Sequence, residues 1–277
     1  MKRNIIITIL ALLCVPFLGF SQDDAPLSKK EQRKNRSVYY TFSMGYSGTK
    51  FRDLATSPLI YKGLGLYYGF SYKRLDSKRE TEVGSSFSSG TYKTHGIESP
   101  AVSTIQTIDV FYSQLYRINK LSNDKLNLKV GGLIDVSQNI RINPYFSNNS
   151  FGLDNVSTLF GSVKATRDLS KVVKNEMKRR SVSLRLDVSV MNNTYRNGYV
   201  YSGQSSIVNE PKLFDDYEFK AFSGFRMNLG IDYTMYFKNN NAIEVSYLWT
   251  GYKTGGDLDQ FAMSSQVFKM AFLFNTK

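Results

Sequence analysis

Apolar and polar positions alternate one for one along residues 225–237. Phe225, Met227, Leu229, Ile231, Tyr233, Met235 and Phe237 stand against Arg226, Asn228, Gly230, Asp232, Thr234 and Tyr236. After Lys238-Asn239-Asn240-Asn241 the alternation resumes, with Ile243, Val245, Tyr247 and Trp249 opposite Glu244, Ser246, Leu248 and Thr250. Side chains point to alternate sides of a strand, so this stretch predicts a hairpin with one apolar and one polar face.

The same period predicts further strands over 37–48, 61–75, 80–92, 104–118, 125–138, 154–167, 181–192 and 261–275. In 37–48, Val38, Tyr40, Phe42, Met44 and Tyr46 alternate with Tyr39, Thr41, Ser43, Gly45 and Ser47. In 181–192, Val182, Leu184, Leu186, Val188 and Val190 alternate with Ser183, Arg185, Asp187 and Ser189. The stretch 80–92 has only Val83 and Phe87 as strong apolar marks, and 154–167 fits either register. With the hairpin, that makes roughly ten strands, an even number as single-chain bacterial barrels have; miscounting those two weaker stretches gives eight or twelve. The fold class expected is all-β, an antiparallel up-and-down transmembrane barrel.

Starting the chain on the inner side places inner links at 76–79, 119–124, 168–180 and 238–241. Outer links then fall at 49–60, 93–103, 139–153, 193–219 and 254–260. Short turns on one side and longer loops on the other are the barrel asymmetry. The link 168–180 is long for an inner turn. Its Leu169, Val172, Val173 and Met177 have helical spacing, which suits either a basic amphipathic helix at the headgroup surface or a solvated charged loop.

A soluble lipocalin-like barrel has the same period with its faces reversed. Three features favour the membrane. The apolar row at 225–237 is longer than a soluble strand of ~5–6 residues supplies. Tyr and Phe gather near strand ends. The polar faces carry both signs of charge, so a narrow lumen can pair them. That expected lumen network is Asp109, Lys129, Asp135, Arg185, Asp187, Arg226, Asp232 and Glu244.

The N-terminus has the form of a signal peptide. Lys2 and Arg3 precede an apolar run from Ile5 to Phe20, and Gly19 and Ser21 suit a cut before Gln22. The organisation expected is signal peptide 1–21, a charged flexible leader 22–36, and a barrel over 37–277. The one cysteine, Cys14, would leave with the signal peptide, so no disulfide is available. The last strand, Phe268-Lys269-Met270-Ala271-Phe272-Leu273-Phe274, resembles the terminal β-signal read by barrel-assembly machinery, although Asn275-Thr276-Lys277 follow it. With the leader ending Gly-Phe-Ser-Gln, the chain resembles the small outer-membrane barrels of Bacteroidota, such as the PorT-like group. That resemblance implies architecture and an outer-membrane location, and carries over no functional residue.

The chain holds 36 Lys and Arg against 23 Asp and Glu. The basic residues are dispersed and the chain is exported, which turns that excess away from nucleic acid and toward lipopolysaccharide and acidic headgroups. A lone histidine, His95, and the lack of mature cysteine argue against a transition-metal site, and no cofactor is expected. Asp53, Asp257 and Asp259 are possible calcium ligands, with solvated loop acids as the plainer reading. Omptin proteases, also ten-stranded, use Asp–Asp and Asp–His pairs at the outer rim. Here Asp215-Asp216 and His95 sit in different predicted loops and no Asp adjoins His95. The expectation is a non-enzymatic barrel, structural or an accessory subunit of a larger envelope complex, using its outer loops, chiefly 193–219, as contact surface. A narrow ion or solute channel is the first alternative and a rim-sited hydrolase the second.

Overall fold

The structure, a computed structural model, describes residues 36–94, 100–144, 151–173, 176–197, 217–257 and 259–276. Its strands are β1 (Ser37–Asp53), β2 (Ser57–Leu75), β3 (Arg79–Thr94), β4 (Val102–Arg117), β5 (Leu126–Ile142), β6 (Phe151–Asp168), β7 (Lys171–Val173), β8 (Glu176–Lys178), β9 (Arg180–Asn197), β10 (Tyr217–Lys220), β11 (Phe225–Tyr236), β12 (Ala242–Thr254) and β13 (Phe261–Asn275). Ten of these form one closed antiparallel ring: β9, β11, β12, β13, then β1 through β6, which pairs back onto β9. β10 pairs only with the end of β9, and β7 and β8 make a separate hairpin. Closure leaves the wall no unpaired edge, as hydrocarbon requires.

The alternation resolves into inside and outside. On β1, Phe42, Met44 and Tyr46 are 55–66% exposed, whereas Tyr39, Thr41, Ser43 and Ser47 are buried. On β13, Phe268, Met270, Phe272 and Phe274 face out, while Val267, Ala271 and Leu273 face in. Apolar residues therefore coat the exterior, the reverse of a soluble lipocalin-like barrel.

Both ends of the wall sequence, at Tyr39 and Asn275, pair at one end of the barrel. The opposite end holds the longest connection, 198–224. We call these the inner and outer ends, following the turn asymmetry of outer-membrane barrels.

The strands run further outward than the sequence pattern predicts. The outer link expected at 49–60 contracts to 54–56, and that at 139–153 to 143–150. A membrane crossing needs ~9–11 strand residues, and β1 and β2 have 17 and 19. The surplus lies at the outer end, where outward positions such as Lys50, Arg52 and Lys62 are polar and the apolar mark of a strand is lost. β6 takes a single register, with Asp154, Val156, Thr158, Phe160, Ser162 and Lys164 inward.

The helix weighed for 168–180 is not formed. Its apolar spacing sits instead on the hairpin of β7 and β8, where Val172 and Met177 are exposed. The Leu169 N–H donates to the Arg180 carbonyl at 2.9 Å, extending the β6–β9 ladder into this turn. The glycines of β2 serve two different needs. A Cβ at Gly63 or Gly65 would strike the carbonyl oxygens of Thr91 or Ser89 on β3. Room beside Tyr67 comes from Gly69 instead.

One residue changes the inward set on β9. Leu159 pairs with Met191 but Phe160 pairs with Ser189, so Val190 is unopposed. Below this bulge Ser183 and Asp187 face in; above it Asn192, Thr194 and Arg196 do. A bulge inserts one residue and switches the side-chain parity. Deleting Val190 is expected to remove the bulge, leave Asn192, Thr194 and Arg196 inward against the same β6 partners, and still give a protease-resistant barrel, measured by circular dichroism and trypsin resistance after refolding in detergent. A deletion variant that fails to fold would refute this reading of the register.

Candidate functional site

The candidate site is the lumen, which is stacked in layers. At the inner end Tyr39, Ala242, Ala271 and Leu273 form a small apolar cluster with Leu75 and Tyr236 against it. Above lies a lysine–glutamate layer. Glu80 on β3 receives Lys164 at 2.7 Å and Lys129 at 3.2 Å. Lys73 on β2 lies 3.7 Å from Glu82 and 3.9 Å from Glu244.

The middle of the lumen is a cavity of about 220 Å³. Arg226 on β11 reaches Asp135 on β5 at 2.9 Å and lies 3.9 Å from Asp109 on β4. Asp109 also accepts hydrogen bonds from Ser86 at 2.9 Å and Ser137 at 2.5 Å. Arg185 donates to Asp187 at 2.8 Å and to Ser113 at 3.0 Å. Asp232 accepts from Ser183 at 3.1 Å, and the Lys269 ammonium stands 5.3 Å from the Tyr67 ring centre. Asp135 Oδ1, Arg226 Nη1 and Asn228 Oδ1 are buried without a protein partner among the described residues. Polar walls with unmatched donors and acceptors call for water, and the cavity has room for it.

Above the cavity, Phe51, Tyr61, Tyr92, Ile105, Val156, Tyr252 and Phe261 pack into an apolar plug. Four charges at the outer end cap it. Asp53 at the end of β1 accepts from Arg141 on β5 and, at 2.8 Å, from Arg196 on β9. Asp154 on β6 lies 3.0 Å from Arg141 and 3.3 Å from Arg196. Each charge thus has two opposite partners, and all four are buried. The two guanidinium groups also lie 5.0 and 5.2 Å from the Phe261 ring centre. Arg196 donates once more to the Asp259 carbonyl at 2.5 Å, linking this square of charges to the 255–260 turn. That turn is tied to β10 by Lys220 to Asp259 at 2.8 Å. Burial pushes the Asp259 carboxyl up, but the Lys220 ammonium and the Gly256 N–H outweigh it and hold the carboxyl below its usual range.

All eight residues expected in the lumen lie on lumen-side positions. Asp109, Asp135, Arg185, Asp187, Arg226, Asp232 and Glu244 share the cavity wall; Lys129 belongs to the lower layer with Glu80. The outer square was not foreseen as a unit. Arg141 and Arg196 fall in stretches that read as loops, and Asp154 in a strand of ambiguous register. Asp53, considered as a calcium ligand, has its carboxylate taken by two arginines. No cluster of three metal-binding side chains occurs among the described residues. His95, Asp215 and Asp216 lie outside the described residues.

No family model and no curated protein matches the chain. Solved structures do. The outer membrane protease OmpT from Escherichia coli superposes with a TM-score of 0.55 at 7% identity, covering 92% of this chain and 100% of that one. The translocator domain of the autotransporter NalP from Neisseria meningitidis gives 0.38 at 9% identity, covering 88% and 92%. Ail, the attachment invasion locus protein of Yersinia pestis, gives 0.29 at 12% identity, covering 85% and 98%. At 7% identity the likeness to OmpT is one of fold: a closed ten-stranded barrel of the outer-membrane kind.

Removing one partner of a buried ion pair strands the other and costs ~3–5 kcal/mol, whereas replacing both with apolar groups costs far less. Arg141→Met alone is therefore expected to destabilise the barrel by ~3–5 kcal/mol, and Arg141→Met with Asp154→Leu by clearly less than the two single changes summed. Urea unfolding in detergent as a double-mutant cycle measures this. Additive losses would mean that the square does not act as a unit.

Proposed function

We propose that this chain is a non-enzymatic outer-membrane barrel that works as an accessory or structural subunit of a larger envelope assembly, through its surfaces and not through a pore. One observation carries the reading: the lumen is filled at both ends. The apolar plug and charge square occupy the outer end, and the lysine–glutamate layer over the Tyr39 cluster occupies the inner end. A ring of ten strands is only a little wider than the eight-stranded size whose interior side chains fill, far from the ~16 strands of an aqueous porin. With transport set aside, the remaining working parts are the exterior and the outer connections, including 198–216. The leader ending Gly-Phe-Ser-Gln, together with the terminal strand's likeness to a β-signal, supports placing the protein among the small barrels of Bacteroidota, of PorT-like kind.

A second reading keeps a foothold in the hydrated, charged cavity. A narrow ion path would need the plug to move aside, and its selectivity would be set by the charges lining it.

In planar bilayers the purified chain is expected to give no stable conductance steps. Under mild detergent it is expected to migrate on native gels with one stoichiometric partner, and removal of 198–216 is expected to weaken that association. Discrete steps altered by Arg226→Gln or Asp232→Asn would replace this reading with the channel. Solitary migration across several mild detergents would overturn the accessory role.

A further inference from the structure

Every acid on the ten wall strands occupies a lumen-side position: Asp53, Glu80, Glu82, Asp109, Asp135, Asp154, Asp168, Asp187, Asp232 and Glu244. The outward face of the described wall therefore carries charge of one sign only. At its outer end that charge is concentrated on neighbouring strands. Lys50 on β1 is directly opposite Lys62 on β2, and Lys62 is directly opposite Lys93 on β3. All three are exposed and outward, and none has an ion-pair partner among the described residues. Arg52 and Lys253 flank the row, separated from each other by Ala262 of β13.

This arrangement opposes the stability of the wall on its own. Strand neighbours stand ~4.8 Å apart, and like charges directly across a strand pair repel. A row of three needs an external counter-charge.

Its height says where that counter-charge sits. Counting from the exterior row Tyr40, Tyr72 and Val83, one row outward of Arg74, the steps from Tyr40 to Lys50, Tyr72 to Lys62 and Val83 to Lys93 are each ten positions. Ten strand residues are one membrane crossing. Below the row the exterior of β1 and β2 is apolar, with Tyr46, Leu64 and Leu66 exposed, while β3 presents Thr91 and Ser89 before Phe87. The three ammonium groups thus lie where the outer leaflet changes from acyl chain to headgroup, and the apolar residues under them suit the acyl chains of the same molecule.

We infer that Lys50, Lys62 and Lys93 form a binding site on the barrel exterior for the phosphate groups of a phosphorylated glycolipid of the outer leaflet, its acyl chains lying along Leu64, Leu66 and Tyr46. The phosphates neutralise the row, and the lipid acts as a fixed annular partner of the β1–β3 wall. This inference depends on the barrel's exterior and is independent of the accessory role proposed above.

The test uses the full chain refolded in neutral detergent. Native mass spectrometry counts bound lipid with bisphosphorylated lipid A, with the same lipid dephosphorylated, and with inorganic phosphate as competitor. At ~1 kcal/mol per lysine at a membrane surface, the Lys50→Gln/Lys62→Gln/Lys93→Gln variant is expected to bind bisphosphorylated lipid A roughly a hundredfold more weakly. A control that removes three inner-end cations, Lys78→Gln/Lys120→Gln/Lys125→Gln, is expected to bind as the parent does. Dephosphorylated lipid is expected to bind the parent about as weakly as the triple variant binds the phosphorylated form. If the triple variant fails to refold, Lys62→Gln alone is expected to lose about fivefold. Equal binding by the parent and the lysine variants, or equal binding of the two lipids by the parent, overturns the site. Displacement by inorganic phosphate at matching concentration overturns the lipid as its occupant.

Discussion

A closed hydrogen-bonded wall obliges every second residue to leave the lipid. Because the ring has no edge, each of the ten strands gives one row to hydrocarbon and one to a lumen too narrow for bulk water. The apolar rows satisfy the first solvent at once. The inward rows must satisfy themselves, and the layers of the lumen are the result: apolar clusters near the ends, with opposite charges matched across the space between. The Glu80 carboxylate between Lys129 and Lys164, and the square of Asp53, Arg141, Asp154 and Arg196, have a common cause. A charge without a partner there is far more costly than a pair.

The exterior obeys a different rule at each height. Where acyl chains touch the wall it is aromatic and aliphatic. Above that band the strands continue into water and the outward positions become lysine, arginine, serine and threonine. Acids stay inside throughout. The division of signs between the two faces concerns the wall alone, since acids do occur in the turns, as at Asp76 and Asp259.

How much of this the sequence discloses depends on the solvent at each point. In β1, β2, β9 and β11 the apolar row is bounded by lipid, so its period marks the strand and the face together, and the inward charges Arg185, Asp187, Arg226 and Asp232 can be named from alternation alone. Beyond the lipid both faces are polar. The outer parts of β5 and β9 therefore read as loop, which hid Arg141 and Arg196, and the undecided register of the 154–167 stretch hid Asp154. The bulge at Val190 adds a second obstacle, because extending the β9 alternation past it would have placed Arg196 on the wrong face. The turn between β6 and β9 misleads for another reason. Its apolar residues have helical spacing by chance of position, while the two flanking strands, already paired, make continuation as a hairpin the shorter path to satisfied backbone groups.

The reach of the lumenal pairs bears on assembly. Arg226 and Asp135 belong to β11 and β5, Lys164 and Glu80 to β6 and β3, Arg196 and Asp53 to β9 and β1; none of these pairs joins hydrogen-bonded neighbours. Each contact exists only once the sheet has curled round on itself. A flat, half-inserted intermediate would bring these cations and carboxylates into hydrocarbon bare, at a cost no local contact could repay. The charges inside the barrel thus make insertion an all-or-none event, in which the strands cross the bilayer together as the ring shuts.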